Sequence, residues 1–163
     1  MPPLRIELKK GRGGPDSLAI VRADGSRTWE RVQAAIAVHD LVHFVVEREF
    51  RMRQGFYGLV ASGWSITDFY DKEKARALPP GAMRAEHLVA FFWRELGQPE
   101  EPDLAAFHAA IEAQNAREPG LDLPRPTQEQ LYRIRAEVRE LAARWRALPP
   151  GETLALEFEV PAP

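Results

Sequence analysis

The chain has 163 residues, 45% of them hydrophobic and 28% charged, and a formal net charge of −2. A chain of this length buries roughly 70% of its unfolded surface without help from a metal or disulfide, so one domain over 1–163 is expected. These fractions exclude wholesale disorder, a fibrous repeat and a membrane bundle, and the balanced charge leaves no field to draw nucleic acid.

There is no cysteine. That removes thiol nucleophiles, disulfides, iron–sulfur clusters and cysteine zinc sites together. The basic set is 18 Arg against 4 Lys, the bias of a GC-rich bacterial genome. The opening MPPLRIELKK has no apolar core of a signal peptide, and a cytoplasmic location is expected. The apolar run at 88–93 is far short of the ~20 residues that cross a bilayer, so no membrane partner is expected.

Leu4, Ile6 and Leu8 alternate with Arg5, Glu7 and Lys9, the period of a half-buried strand. GRGGPD at 11–16 reads as a loop, and 17–22 as a second strand. Asp24-Gly25 is a hairpin signal, with 27–32 returning. Near the far end, Leu154, Leu156, Phe158 and Val160 alternate with Ala155, Glu157 and Glu159. Acidic outer positions here and basic ones on the first strand predict that both segments share one sheet.

The middle of the chain reads as helices near 35–53, 65–78, 83–97, 103–117 and 127–148. RALPPG occurs at 76–81 and again at 146–151. The flanks do not match, so it is one helix-stop device used twice. In the last helix, Thr127 and Gln130 form a capping box. Leu131, Ile134, Val138, Leu141, Trp145 and Leu148 then make one apolar stripe. The stripe spans under three heptads, which favours packing on its own domain over a dimerising coiled coil, although a homo-oligomer stays open. The expected fold is α+β, with a small, mainly antiparallel sheet against about five helices.

One constellation carries chemistry. Residues 36–52, IAVHDLVHFVVEREFRM, form a helix apolar almost all round, the mark of a buried helix. Along one line of it stand His39, His43 and Glu47, with Asp40 beside them. Desolvated polar groups each need a partner. Imidazoles at i and i+4 can reach one ion, and a carboxylate completes a site for zinc, iron(II) or manganese. Glu47 is either the third ligand or a group orienting a histidine. In the latter case the third ligand comes from elsewhere, with His87, Glu86, His108 and Asp68 as candidates.

His39-Asp40-Leu41-Val42-His43 resembles the H-E-x-x-H motif of the zincin metalloproteases. The resemblance implies two zinc-binding histidines, with Asp40 in the place of the base. Asp40 is one methylene shorter than that glutamate, and the downstream H-x-x-G-x-x-H is absent. Protease activity is therefore not carried over. Residues 24–65 are also similar to a set of uncharacterised bacterial proteins that share an HDLxHxxVE helix followed by Gly-Phe-aromatic-Gly, here Gly55-Phe56-Tyr57-Gly58.

The stripe also has a structural reading. His39 would donate to a backbone carbonyl and Glu47 would pair with Arg51. The Gly-rich stretch 55–64 reads as a pocket wall or as a tight turn under the sheet. It is not a phosphate loop, since no Gly-Lys-Ser/Thr follows, and Ser62 and Ser65 lack a nucleophile elbow. Two functions follow. One is a metal-binding protein, extending to a metal-dependent hydrolase, with His39, His43 and Glu47 on the metal and Asp40 as catalytic base. The other is a non-catalytic interaction or adaptor protein. The partner, small molecule or protein, is left open.

Overall fold

The computed structural model describes residues 2–162. Its strands are β1 (Leu4–Lys9), β2 (Asp16–Val21), β3 (Arg27–Val32) and β4 (Thr153–Phe158). They form an antiparallel sheet in the order β3-β2-β1-β4, so the two distant segments are neighbours. The alternation read from the sequence sets the register. Ile6 lies between Ile20 and Leu156, and Leu8 between Leu18 and Leu154, all on the inner face. Arg5 stands opposite Glu157, but its guanidinium reaches 2.8 Å to Glu7 on its own strand.

The helices are α1 (Ala34–Glu49), α2 (Phe56–Ala61), α3 (Lys72–Ala75), α4 (Pro80–Leu96), α5 (Leu104–Arg117) and α6 (Gln128–Ala147). With the sheet they make an α+β fold. Buried α1 is its centre, packed on β2, α2, α4 and α6. Leu41, Val42, Val45 and Val46 are at most 1% exposed, as an all-round apolar helix requires. The α6 stripe, Leu131 through Trp145, is buried in the same core. It is therefore spent within the chain rather than on a coiled-coil partner.

Two stretches differ from expectation. The single helix expected over 65–78 is a 3-10 turn, Ile66–Phe69, followed by the short α3. Asp68 and Ser65 box the first piece, and Asp71 accepts from the Glu73 and Lys74 amides to start the second. Short polar side chains that bond nearby backbone break a long helix into pieces. The other stretch is 55–62, where the glycine-rich sequence forms α2 instead of a turn. Its cap comes from α1, as described below.

α1 ends in a Schellman motif. The Met52 amide bonds the Glu47 carbonyl (2.8 Å) and the Arg51 amide bonds that of Arg48 (3.2 Å). The position past the cap takes a left-handed conformation that favours glycine. Here it is Arg51, with φ of 51°.

Candidate metal centre

His39 and His43 lie one turn apart on α1, with ring centroids 4.8 Å apart. α4 brings Glu86 alongside them. One ligand atom from each of His39, His43 and Glu86 falls within 4.8 Å of the others. His43 is the fixed member, 3% exposed, with its ring against Phe56. His39 is half-buried with its ring edge-on to Trp93, and the Glu86 side chain is 54% exposed.

Glu47 stands on the other side of His43. Its Oε1 lies 2.9 Å from His43 Nδ1. The same carboxylate accepts from the Phe56 amide (2.8 Å) and the Tyr57 amide (3.0 Å). Glu47 is thus the N-terminal cap of α2, reached across the Schellman turn. A Cβ on Gly55 would sit 2.3 Å from the Glu47 carboxyl carbon, so glycine is what lets the cap approach. The Tyr57 hydroxyl closes the loop by donating to the Asp40 carbonyl at 3.0 Å. Because Glu47 is taken, the pairing with Arg51 allowed for in the sequence does not form.

The electrostatics follow from these contacts. Burial alone would push His43 down, but hydrogen bonds to Glu47 and to Glu86 outweigh it and hold the imidazole up at about 10. Burial pushes the Glu47 carboxyl up, against the pull of His43 and the two amides. His39 is lowered by burial and by the neighbouring His43 charge. For Glu86 burial works upward, but the hydrogen bond to His43 brings it below the usual carboxylate range. Asp40 is 8% exposed and is pushed up to about 7, chiefly by burial. Its Oδ2 is buried without a partner, as is Glu30 Oε2 on β3.

The remaining candidates are engaged elsewhere. His87 pairs with Glu118 at 3.0 Å, His108 bonds the Pro126 carbonyl at 2.7 Å, and Asp68 holds Lys74 at 2.6 Å. The structure therefore brings together His39, His43 and Glu86. It sets Glu47 behind His43 and leaves Asp40 buried beside them. Sequence reasoning missed the bonds from Glu47 to the 56 and 57 amides, because a cap supplied from another helix leaves no local signature.

No protein-family model, curated protein or solved structure matches this chain. Two imidazoles and a carboxylate that can close on one point make a group able to hold a metal ion.

Proposed function

We propose that the protein binds a divalent metal ion through His39, His43 and Glu86, and that the ion serves a hydrolytic reaction. The observation that carries this reading is the 3.5 Å between His43 Nε2 and Glu86 Oε1. Ligands bound at about 2.1 Å in a tetrahedral site lie about 3.4 Å apart, so these two atoms already span one edge. His39 completes the set by a small side-chain rotation, which its half-buried position permits. Glu47 then orients a histidine, the alternative to being a ligand itself. It accepts the Nδ1 proton of His43 and so turns Nε2 toward the ion.

Zinc, iron(II) and manganese all suit a two-histidine, one-carboxylate set. With three protein ligands, such an ion would supply Lewis acidity to a bound water and to a substrate carbonyl or phosphoryl group. Asp40, with one oxygen free, is the candidate proton acceptor. No helix among the described residues is long and apolar enough to cross a membrane.

The test is metal content by mass spectrometry on tag-free protein. Wild type is expected to hold one equivalent of zinc, iron or manganese. His39→Ala and Glu86→Gln are expected to lose it while staying folded. Affinity is expected to rise with pH, since the metal displaces protons from the imidazoles. Folded wild type that takes up none of the three metals overturns the reading.

One observation favours a second reading. The chain from His43 through Glu47 to the α2 amides and Tyr57 joins α1 to α2 without any ion. On that reading the stripe is a structural network in an adaptor protein. On this reading no metal is bound by wild type or variants, and Glu86→Gln, which loses its bond to His43, costs stability all the same.

A further inference from the structure

A second feature lies apart from the metal centre. The turn after α1 and the first turns of α4 enclose a cleft of about 480 Å³. Arg51, Arg53 and Arg84 line it, with Asp122 as its one carboxylate. Three guanidinium groups against one carboxylate leave two positive charges. Among the described residues no ion pair involves any of the three arginines. Arg84 is already held in place, because its Nε donates to the Leu121 carbonyl at 2.9 Å. Its terminal nitrogens are left for another acceptor. Phe50, Met52 and Pro124 give the cleft an apolar wall.

The backbone makes the same point independently. Arg51 and Asp122 are the two non-glycine residues with positive φ among the described residues, and both line this cleft. Arg51 occupies the helix-ending position where glycine costs least. An arginine there gives up backbone stability and places a cationic residue on the rim of the cleft. Backbone strain of this kind is concentrated at binding and catalytic sites.

The geometry points to a binding site for a small organic phosphate, its dianion held by Arg51, Arg53 and Arg84 and its apolar body on Phe50, Met52 and Pro124. Phosphate suits the two uncompensated charges and the planar forks of arginine, which bind such oxygens in pairs. The partial positive charge at the start of α4 adds to the attraction.

The test is calorimetric titration with phenyl phosphate. Saturable binding at one site per chain is expected, with a Kd near or below about 1 mM. Arg84→Gln is expected to weaken it about tenfold, the loss of one charge-assisted hydrogen bond. Arg51→Gly is expected to weaken it similarly while raising Tm by about 2 °C. That rise separates lost binding from lost folding. Benzoate, the monoanion of like shape, is expected to bind about tenfold more weakly. Absence of binding, or binding unchanged in both arginine variants, overturns the proposal. So does benzoate binding as tightly as phenyl phosphate. Binding lost in His39→Ala would place the anion at the metal centre and overturns it as well.

Discussion

One hydrogen atom at Gly55 decides whether α1 and α2 can be tied together. With a methyl group there, the Glu47 carboxyl would have to retreat from a carbon only 2.3 Å away. Retreat breaks its bonds to the two amides and to His43 at once. Gly55→Ala is therefore expected to cost about 2–4 kcal/mol, the range for losing a buried polar network. A urea unfolding curve measures it. Gly58 is constrained in the same way, since a Cβ there would lie 2.1 Å from the Arg53 carbonyl oxygen. At this scale the sequence was legible only in part. His39 and His43 are four residues apart on a helix with clear apolar periodicity, so their proximity follows from helix geometry. Glu86 lies 43 residues beyond His43 in the numbering, and nothing local ranks it above its neighbour His87. The rotation of α4 decides between them, and that depends on how α4 packs against α1.

Among the elements, α2 shows how a tertiary contact overrides local preference. Six residues that include glycine and follow a glycine are a poor helix in isolation. A buried carboxylate that accepts from the first two amides supplies what the local sequence lacks. Glu47→Gln keeps the shape but replaces one accepting oxygen with a donor. It is expected to cost about 2–3 kcal/mol and to speed amide exchange across 56–61, read by hydrogen-exchange mass spectrometry. If His43 binds metal, the same variant is expected to weaken affinity by about 10–100-fold through loss of its orienting partner. The elements read correctly were those whose information is local. β1 and β4 alternate strictly, and α6 carries its capping box and stripe within 127–148. The stretch over 65–78 was misread because its helix-breaking signals, Asp68 and Asp71, are also ordinary surface residues. Only their bonds to nearby amides distinguish the two.

For the whole molecule, the decisive contact is β4 against β1. It carries Leu154 and Phe158 into the core, and Phe158 packs its ring 5.3 Å from Tyr57 and 6.2 Å from Phe44. Losing one buried aromatic side chain costs about 3–5 kcal/mol, against a total stability of about 5–15 kcal/mol. A chain cut before Thr153 is therefore expected to lose its cooperative thermal transition, followed by circular dichroism. This pairing was legible because opposite charges on the outer faces accompany matching apolar inner faces. The match is partial in the structure, where Arg5 prefers Glu7 to the opposing Glu157.

The same pairing has a consequence in time. β1 can form a hairpin with β2 almost as soon as both are made, but its other edge belongs to a strand about 150 residues later. At a synthesis rate of about 5–20 residues per second, that edge waits roughly 7–30 s for its partner. Throughout that interval a row of unpaired amides and carbonyls beside Leu4, Ile6 and Leu8 is open to any other extended chain. Newborn copies of this protein should therefore be most prone to sticking to one another during the wait, and a chaperone that shields extended apolar segments should raise their yield most.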